Sequence, residues 1–347
     1  DKSTVAVEQI PGAVESAEEA SIAVLPFADL SAEQDQAYLS DGLAEELLNL
    51  LSRMPELRVA SRTSAFSYKG KDVRIADIAG ELHVAHVLEG SVRKSGDLVR
   101  ITAQLIDARQ DTQLWSGSWD RTLEDVFAIQ DDIAAAVVSA LRVTLLGETP
   151  TTATTSAEAY TLYLQAGHLA RQGAPAAMQE AIELYRAALA LDDSYVPAWI
   201  GLGRTYANMA GARLTDPITA YAEARVAAER ALALAPDDPN VHTMLGWTAH
   251  HYDGDYQAAA RHYRRSLALD PNSARNLGGV AILYRSLGRL EDAIRLQRRV
   301  IYLDPVDAGA FFNLGLTLVM ADDLGAARAA FQKSLDLQPS LLLARVW

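Results

Sequence analysis

Apolar and polar positions change period several times along the first half of the chain. Ser21 opens Ile22-Ala23-Val24-Leu25-Pro26-Phe27, a short unbroken apolar run of the kind that forms a strand covered on both faces. From Asp35 to Met54 apolar residues recur at helical spacing, Leu39, Leu43, Leu47, Leu50 and Met54, which predicts an amphipathic helix with one apolar stripe. Leu57-Arg58-Val59-Ala60 predicts a second strand, and Arg74 to Leu82 a second helix ending near His83. Val84 to Arg93 and Leu98 to Asp107 flank the turn Lys94-Ser95-Gly96-Asp97. In the second arm Val99, Ile101, Ala103 and Leu105 alternate with Arg100, Thr102 and Gln104, placing the apolar set on one side of a pleated strand. Gln113 to Trp119 predicts a further strand, and Ile129, Ile133, Val137 and Leu141 mark a long closing helix. Strands mixed with helices in this order predict an α/β domain, a mixed sheet with flanking helices, over residues 21–147.

Around that domain the pattern lapses. Residues 1–20 carry Asp1, Glu8, Glu15, Glu18 and Glu19 against Lys2, with little large apolar content, and read as a flexible acidic tether. Gly147 to Ser156, with Pro150 and five threonines, reads as a hinge, leaving residues 148–156 as linker. Beyond it strand signals vanish and the chain repeats itself. Pro271, Pro305 and Pro339 lie 34 residues apart, as do Ala259, Ala293 and Ala327, and so do Tyr263, Gln297 and Phe331. The pairs Leu245-Gly246, Val280-Ala281 and Leu314-Gly315 precede them. Small residues let two helices approach, a large residue fills the groove between them, and proline stops the second helix.

This pattern resembles the tetratricopeptide repeat family and implies an all-α superhelix over residues 157–347. The second unit keeps Trp199, Leu202-Gly203, Tyr206, Ala224, Ala231 and Pro236, with extra residues around Arg213 to Tyr221. The first keeps Tyr160, Ala181, Tyr185 and Ala188, but Asp193 stands where proline belongs. Five repeats are expected over residues 157–339, and Leu341 to Trp347 reads as the opening of a truncated sixth. The front domain resembles the TolB N-terminal-like family through Ser21 to Phe27, Tyr38-Leu39-Ser40-Asp41-Gly42-Leu43, Ser67-Tyr68-Lys69-Gly70, Val87 to Arg93 and Val99 to Asp107. That resemblance implies a bacterial signalling protein in which such repeats follow the domain. A nucleotide cyclase, a winged-helix DNA-binding domain or a kinase often precedes it in that family, sometimes with a membrane helix between.

Composition narrows the function classes. Of 347 residues, 31 are basic and 45 acidic, a net charge of −14, so phosphate is repelled except at a local patch and no nucleic-acid partner is expected. With no cysteine, disulfides, thiolate metal sites and a cysteine nucleophile are excluded. No run approaches the roughly 18 apolar residues of a membrane span. The chain begins at Asp1 and stops in an apolar run, and is read here as a piece cut at both ends. Its expected location is periplasmic if a membrane helix precedes it and cytoplasmic otherwise.

Catalytic constellations are missing from the sequence. There is no phosphate-binding Gly-x-x-x-x-Gly-Lys-Ser/Thr loop, no His-Glu-x-x-His and no Gly-x-Ser-x-Gly. His250, His251 and His262 read as solvated helix positions rather than a metal site, and His83 with His86 lack a third ligand. The acid pairs Glu45-Glu46 and Asp131-Asp132 point apart on a helix and read as solubilising surface. No cofactor and no metal is called for.

Two surfaces rise above this background. The concave wall, built in this repeat family from the first helix of each pair, carries Arg204 and Asn208 in unit two and Trp247, His250 and His251 in unit three. Arg285 follows in unit four, and Asn313, Leu316 and Met320 in unit five. Such a wall suits a peptide or protein partner, with arginine forks for carboxylates; an ordinary polar face is the alternative. The second surface is a ridge, Arg261, Arg264 and Arg265 recurring one repeat later as Arg295, Arg298 and Arg299. Residues 1–147 hold 13 basic and 24 acidic side chains against 18 and 21 in the remainder, so the ridge is a candidate dock for the acidic front domain or an acidic partner; a solvated face is the alternative. The sequence therefore reads as a non-catalytic interaction and regulatory module. Its rivals are an enzyme with a pocket at the front-domain strand ends, for which no nucleophile-base pair is visible, and a DNA-binding part, for which no basic recognition helix is visible.

Overall fold

In the computed structural model, which describes residues 20–54, 57–96, 98–141 and 154–339, the first apolar run is a central strand. β1 (Ser21–Val24) is buried along its whole length and pairs in parallel with β3 (Arg58–Val59) on one side and β4 (His86–Ser95) on the other. β5 (Leu98–Asp107) and β6 (Thr112–Thr122) continue the sheet as antiparallel neighbours, giving the order β3-β1-β4-β5-β6, with β2 (Ala28–Asp29) alongside β4. Pairing Val92 with Ile101 and Leu88 with Leu105 keeps the alternating apolar positions on one face, as the pattern requires. That face is covered by α1 (Ala37–Ser52) and α4 (Val126–Leu141). Ala23, Leu25 and Val87 on the other face are covered by α2 (Arg62–Phe66) and α3 (Ile75–Leu82), and His83 ends α3 at φ 54.

The sequence pattern does not announce β2 or α2, because elements of two and five residues are too short to show a period. Local chemistry makes α2 instead: the Ser61 hydroxyl accepts the Ser64 N–H at 3.1 Å and caps it. β6 extends beyond Gln113 to Trp119 at both ends, where its polar edge pairs across to β5 through Arg100 and Asp120.

Among the described residues, the second half forms five antiparallel helix pairs. They are α5 (Ala157–Gln172) with α6 (Pro175–Leu191), α7 (Val196–Gly211) with α8 (Pro217–Leu234), and α9 (Pro239–Thr248) with α10 (Tyr256–Leu269). α11 (Ala274–Ser286) with α12 (Leu290–Leu303) and α13 (Ala308–Met320) with α14 (Leu324–Leu337) complete them. The extra residues of unit two lengthen α8 as well as the turn before it. Ala259, Ala293 and Ala327 are buried at the contacts, and Tyr263 fills the groove between helices. Gly279 shows why a small residue is needed there, since a Cβ would fall 2.5 Å from the Tyr263 ring. The acidic tether, most of the linker and the expected sixth repeat lie outside the described residues.

The two units share one core. Leu43, Leu47, Ile133 and Val137 of the front domain continue into Tyr160, Leu164, Ile182 and Tyr185 of the first repeat. Gly42 permits this, because a Cβ on α1 would lie 2.5 Å from the Leu164 side chain on α5. α1 is therefore buried on two faces, one against the sheet and one against the repeats.

Candidate functional site

The repeats clasp the front domain. At the first repeat the Tyr163 hydroxyl donates to Glu46 at 2.6 Å, and Arg171 Nη1 reaches Glu45 at 2.8 Å. At the third, Arg53 approaches Asp238 at 3.7 Å. At the junction of the fourth and fifth, the buried Ser64 hydroxyl donates to Asp304 at 2.5 Å. Beside it His83 stacks on Tyr302 with ring centres 5.1 Å apart, and the Arg58 guanidinium lies 5.7 Å from the same ring. Within the front domain Arg62 Nε holds Glu45 at 2.9 Å.

Between these contacts lies a cavity of about 480 Å³. Its repeat wall is formed by α7, α9, α11 and α13, and its opposite wall by α1 and the segment from Leu57 to Thr63. Arg62, Arg204 and Arg275 line it together with Glu45. Burial pushes the Glu45 carboxyl up, but Arg171, Arg62 and Arg204 outweigh it and hold the group below the usual carboxylate range. Glu46 is pushed up to about 7, chiefly by burial and further by Glu45, against the Tyr163 hydrogen bond. Arg275 is lowered to about 10, first by the neighbouring Arg204 and then by burial. Burial raises Asp270 to about 6 and raises Asp304 despite its serine hydrogen bonds.

Of the expected wall residues, Arg204, Asn208, Trp247 and Asn313 line this cavity. His250 is buried, with Nε2 3.0 Å from the Ser286 hydroxyl, and burial lowers it to about 4, with His251 and Arg285 adding to the shift. His251 stacks on Trp247 with centres 3.6 Å apart, so one face of the indole is already covered. Arg285 donates to the Asn313 carbonyl and side chain at 3.2 and 3.1 Å. Leu316 packs against the last apolar cluster, and Met320 is exposed at the far end of α13.

Three expectations need correcting. His250 and His251 sit in a π-helical turn, Ala249–Asp253, where His250 is buried rather than solvated while His251 is exposed as expected. His262 meets a different partner, with its Nδ1 3.2 Å from that of His242. Glu45 and Glu46 are not solubilising surface; α1 turns both toward the repeats, a placement that depends on the second unit and has no periodic signal. The ridge is not where the front domain docks. Arg265 pairs with Asp237 and Arg295 with Asp292, while Arg261, Arg264 and Arg298 are exposed. Arg299 lies 5.1 Å from the ring centre of Tyr302, the ring that His83 and Arg58 of the front domain also meet. Shape explains the difference, because the hollow offers an apolar seat for α1 whereas the ridge offers charge in water.

Arg62, Tyr163, Arg171, Arg275 and Asp304 escaped sequence reading. The signal that existed was Gly42, a small residue beside the leucine stripe of α1 at the point where Leu164 packs. A separate cleft of about 1120 Å³ opens at the ends of β1 and β2. Its acids are engaged in structure: Asp29 accepts the Ser31 and Gln36 N–H groups at 2.9 and 2.8 Å, and Glu89 accepts from Gln104 at 2.5 Å. Among the described residues no group of three or more metal-ligating side chains converges, and no helix is long and apolar enough to cross a membrane.

Comparison with known proteins bears on both halves. Residues 18–136 match the family model of the HilA/YgeH-like transcriptional regulator, second domain, and residues 220–274 and 250–314 match tetratricopeptide repeat models. The second half is an array of such repeats. The putative adenylate cyclase 3 of Rhizobium meliloti (strain 1021) is 35% identical over 253 residues, 72% of this chain and 40% of its own length. The chain thus spans less than half of that relative. Among solved structures, YrrB, a TPR protein with an unusual peptide-binding site, shares 24% identity at a TM-score of 0.36, covering 54% of this chain and 90% of that one. A thermophilic TPR protein of Thermus thermophilus shares 17% identity at a TM-score of 0.46, covering 54% of this chain and 95% of that one.

Proposed function

We propose that this chain is the non-catalytic regulatory module of a longer signalling protein. Its repeats recognise a peptide or protein partner, and its clasped front domain passes the state of the repeats to a nucleotide cyclase elsewhere in that protein. The observation that carries this reading is the 35% identity over 253 residues to a protein named as a putative adenylate cyclase, of which this stretch is 40%. The front-domain motifs resembling the TolB N-terminal family support the same arrangement. Partner recognition falls to the concave wall, with Arg204, Asn208, Trp247 and Asn313 facing the cavity and Leu316 and Met320 farther along α13; His250, His251 and Arg285 support that wall through their contacts with Ser286, Trp247 and Asn313. The exposed Arg261, Arg264 and Arg298 offer a second surface to an acidic partner.

A second reading, the regulatory part of a transcriptional activator, is favoured by the match of residues 18–136 to a HilA-like regulator domain. One experiment separates them. The longer protein is assayed for cyclic AMP formation from ATP with and without Trp247→Ala and Arg204→Glu, beside this chain alone. Activity in the longer protein, a several-fold change in the variants and none from the chain alone are expected. Turnover by the chain alone, or variants that leave the output unchanged, overturns the proposal; a longer protein without cyclase activity that binds duplex DNA selects the second reading.

A further inference from the structure

Three arginines from three different elements line one hollow. Arg62 comes from α2 of the front domain, Arg204 from α7 and Arg275 from α11. The acid that faces them, Glu45, is shared between Arg62 at 2.9 Å and Arg171 at 2.8 Å. Other carboxylates of the wall are engaged in contacts of their own or are pushed up by burial. Asp307 caps α13 by accepting the Gly309 N–H at 2.8 Å, Asp304 takes the Ser64 hydroxyl, and burial pushes both Asp304 and Asp270 toward the neutral form. Repulsion by Arg204 is the leading cause of the lowered basicity of Arg275, and it outweighs the opposing pull of Glu45 and Asp307.

The same cavity has unpartnered polar groups on its lining. Gln297 is 2% exposed, and neither its amide nitrogen nor its oxygen has a hydrogen-bond partner; Tyr263 is 1% exposed and its hydroxyl has none. Buried polar groups are nearly always satisfied, so a donor-acceptor amide and a phenol left open beside a cavity are placed to pair with whatever fills it. The volume of about 480 Å³ falls within the roughly 300–1,000 Å³ typical of small-molecule sites.

We propose that this hollow binds a small organic anion: a carboxylate or phosphate gripped by Arg62, Arg204 and Arg275, carried on a neutral polar body that pairs with Gln297 and Tyr263. Forked guanidinium groups suit either anion. The ligand touches the front domain through Arg62 and the repeats through Arg204 and Arg275, so binding strengthens the clasp between them. This site shares Arg204 with the wall of the regulatory reading above, but it is tested by direct anion binding, so its failure would leave that reading intact.

The test uses the full chain at low ionic strength, with calorimetric titration of AMP and GMP in one arm, citrate and malate in a second, and inorganic phosphate in a third. Saturable binding in one of the first two arms, with a rise in melting temperature, is expected and identifies the anion as phosphate or carboxylate. Arg275→Gln and Arg204→Gln should each weaken it at least about tenfold, the loss of one charge-assisted contact. Gln297→Leu should weaken the organic anions and leave inorganic phosphate unchanged. Arg264→Gln, on the outer ridge, serves as the control for net charge, and circular dichroism confirms that each variant is folded. No saturable binding in any arm, binding of inorganic phosphate alone, or equal losses in Arg264→Gln and Arg275→Gln overturns the proposal.

Discussion

Glu45 is the acid on which the clasp turns, and Glu45→Gln tests it directly. Its carboxylate is 16% exposed and receives Arg62 Nε at 2.9 Å and Arg171 Nη1 at 2.8 Å, the two arginines being 27% and 25% exposed. The isosteric amide keeps the volume, removes the charge and turns an N–H donor toward one guanidinium. Each charge-assisted hydrogen bond contributes about 1.5–3 kcal/mol when buried. Partial exposure of both arginines reduces that, and the expected loss is about 2–3 kcal/mol in all. Urea unfolding followed by tryptophan fluorescence measures it, and a double-mutant cycle with Arg171→Gln isolates the pair across the domain boundary. A coupling of about 1 kcal/mol or more is expected, shrinking as salt is raised. The carboxyl is held below its ordinary range, so the stabilisation is present above the unfolded carboxylate pKa and is lost as pH falls through the folded value. A loss under about 0.5 kcal/mol, or zero coupling with Arg171, would refute the view that this carboxylate joins the two units.

Two further predictions concern α1. Glu46 titrates near 7 when folded against 4.5 when free, so its contribution is fully present below pH 4.5 and is lost as pH rises through about 7. Glu46→Gln should flatten the decline of the urea midpoint between about pH 5 and 8, and a profile parallel to that of the parent chain sinks the assignment. Gly42→Val should drive a side chain into Leu164, where even a Cβ would sit 2.5 Å away, and cost about 1–3 kcal/mol through a forced shift of α1 from α5. Unchanged melting temperature and unchanged solution scattering would show that the helices do not approach so closely.

How much of this was legible depended on whether the information was local. The alternation Val99, Ile101, Ala103 and Leu105 named the inner face of β5, and the leucine stripe from Leu39 to Leu50 named the inner face of α1, because each records burial against one neighbour. Columns spaced by 34 residues named the helix pairs, since every unit solves the same packing problem. The clasp has no such record. Glu45 and Glu46 resemble any acidic pair on an exposed helix until α5 is known to cover them, and Asp304 looks like a helix end until Ser64, far away in sequence, is placed beside it. The concave wall was half legible: the first helices are where expected, but side-chain direction inside the hollow depends on what fills it, as the Arg285 to Asn313 bonds and the His251 stack on Trp247 show.

The filling of the hollow changes how the repeats must bind. A free superhelix presents its concave wall at no cost, and affinity follows from contact alone. Here α1 and the Leu57 to Thr63 segment stand opposite that wall, so a polypeptide large enough to lie along it has to displace the front domain and give up the clasp contacts. Its apparent dissociation constant is then the intrinsic one divided by the fraction of molecules already open. If the Glu45 contacts alone stabilise the closed form by about 2–3 kcal/mol, that fraction is of order 1%, and binding is weakened about a hundredfold. A small anion has the opposite linkage, because it fits the cavity left by the closed form and favours it. Two ligand classes would thus compete through the position of one domain as well as through the shared Arg204, and that coupling is the thermodynamic requirement for a regulatory module and one that a bare scaffold does not meet.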